Sequence, residues 1–226
     1  MHDFELIVFD LDGTLVDSQA DIIAAMEEAF AAHGLPRPSD DAVRGVVGLS
    51  LDHAIRELMP AGAHPRRTTA VMDTYKNAYT ARKARRGDSE RLFDGVHDAL
   101  AHLDTPYVCL GVATGKSAQG LRATLARHAL AERFVTLQSA DDAPGKPHPR
   151  MLELAIADVG ADAARTALIG DTTFDMAMAR DAGAVPIGVT WGYHTTPDLV
   201  DSGAARLVGA FAELPGVLAR VRPCAA

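Results

Sequence analysis

Two cysteines in 226 residues give no basis for a disulfide framework. Cys109 lies inside an apolar run and reads as a core filler, while Cys224 falls in the C-terminal tail; both point to a reducing compartment. No run of about twenty apolar residues occurs, so no transmembrane helix and no membrane association are expected. Nor does a basic segment followed by an apolar stretch open the chain, so no signal peptide is expected and the cytoplasm is the expected location. A basic excess is missing as well. With 22 Lys and Arg against 30 Asp and Glu, the net charge is -8, which argues against a nucleic-acid binder working through bulk charge. A small anionic substrate answers to local groups and stays open. Aromatics make up 5% and hydrophobic residues 48%, enough to bury a core in one domain carrying a smaller insert.

Short apolar runs alternate with helical patterns through most of the chain. Strands are expected at Leu6–Phe9, Tyr107–Ala113, Phe134–Gln138, Thr166–Gly170, Val185–Thr190 and Arg206–Val208. Helices are expected at Asp94–Leu103, Ser117–His128, Pro149–Val159 and Thr173–Ala182. Near-continuous apolar strands separated by helices imply an α/β fold, a parallel sheet covered on both faces. The alternation fails between Ser18 and about Arg91. There, Ser18 and Asp21 suggest a capping box, and Ile22, Ile23, Met26 and Phe30 recur at helical spacing until Gly34 and Pro36. More helical patterns follow at Asp40–Val46, Leu51–Leu58 and Arg66–Arg86. The expected organisation is a core of residues 1–17 and 92–226 with an all-helical insert at 18–91. Arg82, Lys83, Arg85 and Arg86 near the insert's end read as a solvated helix face.

In a parallel α/β sheet, ligands bind beyond the carboxyl ends of the strands. The stretch "FDLDGTLVDS" places Asp10 and Asp12 after the first strand. Thr114 follows the second strand, with Gly115 beside it; Lys146 follows the third, between Gly145 and Pro147; Asp171 and Asp175 follow the fourth. Acids crowded this closely repel one another, and a divalent cation such as Mg²⁺, which prefers hard oxygen ligands, would offset that cost. Asp10 and Asp12 stand two apart on extended chain and can face one reacting group. One carboxylate can attack phosphorus while the other handles the proton of the leaving oxygen and of water. Thr114 and Lys146 can hold the transferring group's oxygens. Spacing alone does not say which acid attacks. Thr114 also reads as a helix N-cap, and Asp175 as a first-turn residue serving the helix dipole. In the insert, Arg44, His53 and Arg56 are candidate substrate contacts; Thr190–His194, after the fifth strand, is a candidate border of the site, while Trp191 and Tyr193 read as packing residues.

"FDLDGTLVDS", Thr114, Lys146 and "GDTTFD" together resemble the haloacid dehalogenase-like superfamily, especially its phosphoglycolate phosphatase-like branch, over nearly the whole chain. The resemblance implies a Rossmann-like doubly wound core with an inserted all-helical cap. It implies Asp10 as nucleophile and Asp12 as general acid/base. It also implies Mg²⁺ held by Asp10, Asp171 and the backbone carbonyl of Asp12, supported by Asp175, and a small phosphorylated metabolite as substrate. Phosphoglycolate leads by resemblance only; sugar phosphates, nucleotides and pyrophosphate stay open.

Other activities of related chemistry compete. A dehalogenase would normally lack Asp12, having no leaving alkoxide to protonate. A phosphonate hydrolase would use a lysine early in the cap, where Lys76 and Lys83 do not stand. A sugar phosphomutase shares all the core chemistry and stays open. A signalling receiver domain is shorter, has no insert and carries its phosphoacceptor on a later strand.

Overall fold

The computed structural model describes residues 3–86 and 90–221, apart from the side chains of Arg85 and Arg86. Cys224 and part of the expected basic cluster therefore lie outside the described residues. Six parallel strands form the sheet: β1 (Leu6–Phe9), β4 (Cys109–Ala113), β5 (Thr136–Gln138), β6 (Thr166–Gly170), β7 (Val185–Val189) and β8 (Arg206–Val208). Their spatial order is β5-β4-β1-β6-β7-β8. Residue alternation on β1 explains the two-sided burial. Ile7 and Phe9 join one apolar cluster, with side chains of α5 (Val96–Leu103), α6 (Ala118–Arg127) and α10 (Leu214–Leu218). Leu6 and Val8 join the other, with side chains of α7 (Arg150–Val159) and α8 (Thr173–Asp181). Each such side chain contributes about 1.5–3 kcal/mol on full burial. The fold is the α/β arrangement with a covered parallel sheet expected from the alternation, doubly wound as the resemblance implies.

Successive strands run outward from β1 to β4 and β5, then resume at β6 on the opposite side of β1. The crevice at the carboxyl end of β1 is therefore the topological switch point, where ligands of such sheets bind. Leu6 pairs in register with both Cys109 and Thr166, so the ends of β1, β4 and β6 come level.

Two short strands, β2 (Val16–Asp17) and β3 (Arg91–Leu92), pair antiparallel with Val16 opposite Leu92. Between them lie α1 (Gln19–Ala32), α2 (Asp40–Arg44), α3 (Leu51–Leu58) and α4 (Pro65–Arg86). On α1, Ile22, Ala25, Met26, Ala29 and Phe30 are buried, the i, i+3, i+4, i+7, i+8 stripe of an amphipathic helix. They meet Val43, Ile55 and Val71 in an apolar cluster of the insert's own. No helix among the described residues is long and apolar enough to cross a membrane.

Three local readings change. Ser18 sits at the N-cap of α1 but makes no capping hydrogen bond; its hydroxyl donates instead to Asp12 Oδ1 at 2.6 Å. Thr114 is not the cap of α6, since Ser117 takes that place and accepts from the Gly120 amide. Lys83 is not solvated but lies 2.7 Å from Glu90 Oε1. Here tertiary partners outbid the local pattern.

Candidate active site

Asp10, one residue past β1, has a side chain only 1% exposed. Its amide donates to the Ile169 carbonyl of the neighbouring strand at 2.9 Å, so the sheet ladder itself fixes the residue. Lys146 Nζ, fully buried, lies 2.7 Å from Asp10 Oδ1 and 2.6 Å from Asp175 Oδ1. No well-aligned hydrogen bond reaches either oxygen of Asp10. Burial, with the Asp175 charge adding to it and Lys146 opposing, pushes the Asp10 carboxyl up to about 7.

Asp171 stands just beyond β6 and is wholly buried. Its Oδ1 accepts from the Thr14 hydroxyl at 2.8 Å and its Oδ2 from the Tyr193 amide at 2.9 Å. Burial and the nearby Asp10 and Asp175 charges push its carboxyl well above the usual range. Gly13 has φ +89°, and a Cβ there would fall 2.3 Å from Asp171 Oδ2. Only glycine combines that backbone with so close an approach to the carboxylate.

Asp175 has no spare oxygen. Oδ1 accepts from Lys146, and Oδ2 accepts from the Thr172 amide and hydroxyl at 3.1 and 2.7 Å. Thr172 and Asp175 thus form the capping box of α8. The first-turn role and the position beside the acid cluster both hold, because one carboxylate caps the helix and pins the lysine.

Carboxylate oxygens of Asp10, Asp171 and Asp175 lie within 4.8 Å of one another. Three buried acids face one buried ammonium, and Asp10 keeps oxygens without a well-aligned donor. That donor set suits a hard divalent cation, and Asp10 is the member of the three whose oxygens are least engaged by other donors. Among the described residues these three acids form the only cluster of this kind.

The Asp12 side chain is directed to different partners from those of Asp10. Besides Ser18, its Oδ1 accepts from Lys116 Nζ at 2.9 Å. Burial alone would raise its carboxyl, but the Lys116 ammonium and the Ser18 hydroxyl outweigh burial and hold it below the usual range. Asp10 and Asp12 nevertheless line one cavity of about 700 Å³ between the sheet's edge and the insert. Thr114 and Gly115 line it too. Thr114 is buried, its amide donating to the Gln138 carbonyl and its hydroxyl accepting from the Lys116 amide. At Gly115 a Cβ would lie 2.5 Å from the Leu49 carbonyl oxygen, so this glycine lets the insert's backbone settle onto the strand end.

Arg44 and His53 are not brought to the cavity wall. Arg44 is paired with Asp41, His53 lies 3.5 Å from Glu57, and Arg56 is bound to Asp52; all are local pairs along helices. Trp191 packs between Phe93 and Phe211, as expected. Tyr193 borders the site instead, its hydroxyl 3.2 Å from Ser18 Oγ.

Lys116 is the residue that sequence reasoning missed. It stands two positions past Thr114, the same offset that links Asp10 and Asp12, and that offset was the available signal. Behind it lies Glu90, with its side chain 2% exposed. Glu90 accepts from Lys83 at 2.7 Å on one oxygen and from Arg127 at 2.9 Å on the other, with Thr124 and Tyr79 hydroxyls also on it. This acid ties α4 of the insert to α6 of the core. Replacing it, Glu90→Ala, removes the buried carboxylate shared by Lys83 and Arg127 and is expected to cost about 3 kcal/mol. The measurement is the urea unfolding midpoint, and Glu90→Gln is expected to recover only part of the loss.

Comparison with known proteins follows the same lines. The family model for haloacid dehalogenase-like hydrolases matches residues 7–189. A probable phosphatase, IndB, of Dickeya dadantii is 37% identical over 212 residues, covering 93% of this chain and 92% of that protein. A phosphoglycolate phosphatase of Caulobacter vibrioides is 34% identical over 221 residues, covering 95% and 92%. In fold, the crystal structure of a predicted phosphoglycolate phosphatase from Haemophilus somnus superimposes with a TM-score of 0.85 at 23% identity, covering 96% of this chain and 99% of that one.

Proposed function

The chain belongs to the haloacid dehalogenase-like hydrolases, and from that premise we propose a Mg²⁺-dependent phosphatase that cleaves a small phosphomonoester through an aspartyl-phosphate. One observation carries the reading: three buried carboxylates and a single buried lysine meet at the sheet's switch point.

In this reading Asp10 attacks phosphorus, forming the Asp10–phosphorus bond as the ester oxygen leaves. Asp12 donates its proton to that oxygen, giving the free alcohol. A water molecule then attacks the same phosphorus, Asp12 takes the water's proton, and Asp10 is regenerated with release of phosphate. Asp12 is held ionised by Lys116, which is the form needed to take a proton from water. An arriving phosphate adds negative charge beside it and favours the protonated form needed first. Lys146 anchors Asp10 and balances charge on the transferring oxygens, while Thr114 orients them. Asp10, Asp171 and the Asp12 carbonyl would hold Mg²⁺, with Asp175 steadying the set. The bound ion supplies charge neutralisation for the phosphoryl oxygens. The helical segment 18–91 serves as a cap that excludes water and selects the alcohol.

Phosphate release from a panel of phosphomonoesters tests this proposal. Phosphoglycolate, which appears in the Caulobacter relative's name, is the first compound to try. Turnover is expected with Mg²⁺ and is expected to fall at least about 100-fold after chelation. Equal turnover in chelator would overturn the metal's role.

A further inference from the structure

The cavity that holds Asp10 and Asp12 extends well past the carboxylates, and the insert builds its far wall. Ile22 and Met26 of α1, Val43 of α2, Val47 just beyond it, and Met72 and Tyr75 of α4 face it. Its volume of about 700 Å³ is that of a pocket for a drug-sized ligand; a phosphoryl group with a two-carbon alcohol fills only a fraction of it. The charges on its wall are already committed. Lys116 is bound to Asp12, and Lys83 and Arg127 are bound to Glu90; Lys76 lies on exposed surface at the rim. A carboxylate on the alcohol could recruit one of these partly buried cations only by taking it from Asp12 or by breaking the shared pairing on Glu90, which costs free energy away from water.

We propose that this space receives the alcohol portion of a phosphomonoester that is bulky and uncharged, with an apolar or aromatic face against α1 and α4. The assignment rests on the phosphatase reading and narrows it: the cavity favours such an alcohol over glycolate. Apolar surface buried there lowers the transition state in proportion to its area. Inside the wall Lys116, Lys83 and Arg127 already face acids, so a second anionic group would meet only the solvent-exposed Lys76.

Three primary alkyl esters separate size from charge: benzyl phosphate, ethyl phosphate and phosphoglycolate, each assayed with Mg²⁺ by initial rates of phosphate release. The kcat/KM for benzyl phosphate is expected to exceed that for ethyl phosphate at least tenfold, with phosphoglycolate lowest. Val47→Lys and Met72→Lys each place a new cation on the wall. Each is expected to lower the benzyl-to-phosphoglycolate ratio at least tenfold, with circular dichroism confirming that the variant is folded. Two positions are used so that one unfolded variant leaves the test standing. A native preference for phosphoglycolate, or unchanged ratios in the folded variants, overturns the inference while leaving the phosphatase intact. Release of phosphate from none of the three esters, nor from the wider panel, removes the phosphatase reading and the inference with it.

Discussion

Asp10→Asn is expected to abolish multiple-turnover phosphate release, by about 10⁴- to 10⁶-fold, the range seen when a nucleophile is removed. The same change is expected to stabilise the metal-free protein at neutral and alkaline pH. The sign follows from burial. Asp10 titrates near 7 in the folded chain against 3.8 as its ordinary value. Between those limits the folded protein keeps a proton that the unfolded chain gives up. Its contribution to stability is complete below about pH 4 and lost as pH rises through about 7. At about 1.4 kcal/mol per unit, the loss is on the order of 4 kcal/mol. An amide has no proton to lose there, and Lys146 keeps Asp175 as its partner. Thermal melts of metal-free native and variant protein at pH 5 and pH 8 test this: the variant should gain at pH 8 and little at pH 5. Added Mg²⁺ should raise the native midpoint at pH 8 far more than the variant's. A variant that is less stable at pH 8 would show that Asp10 is held by contacts stronger than its buried charge is costly. Stability surrendered for reactivity is the usual mark of a catalytic group.

Lys146→Ala is expected to act in the opposite direction on stability. Nothing else so close neutralises Asp10 and Asp175, and the variant buries both without their cation. Breaking a buried pair by deleting one partner costs about 3–5 kcal/mol, and here one ammonium serves two acids. The deficit should widen as pH rises from 5 to 8, because the buried Asp10 carboxyl, no longer lowered by Lys146, keeps a proton that the unfolded chain has already released. Activity should fall about 100- to 1000-fold, as when one donor to a developing oxyanion is lost. Urea unfolding at both pH values, with and without Mg²⁺, provides the measurement. A midpoint within about 0.5 kcal/mol of native at pH 8 would contradict the charge balance described for this site.

Much of the fold was legible because it depends on periodicity. Every expected core strand is present, with β1, β6 and β8 matching in extent and β4, β5 and β7 shorter by one or two residues. The strand-end rule then brought Asp10, Asp171, Asp175 and Lys146 together, since topology alone makes those positions adjacent. Partners chosen by packing across the chain were not legible. Ser18 looked like a cap because Asp21 followed it, yet Asp12 stands nearer in space. Lys83 looked like surface, and its pairing with Glu90 depends on how α4 meets α6. Arg44, His53 and Arg56 carried the right chemistry for anions, but neighbours one helical turn or less away had already claimed them. Along a helix, an acid three or four residues away reaches a basic side chain before a distant ligand does.

The ribbon of β2 and β3 has a consequence for how such an enzyme diversifies. The chain departs at Asp17 and returns at Arg91 directly opposite, so the span between them begins and ends at one doorway. Lengthening, shortening or exchanging that span would not require the carboxylate frame to shift, because closing a longer loop across fixed ends adds only about 0.6 kcal/mol per doubling. New appetites can evolve in the annex while the furnace stays lit.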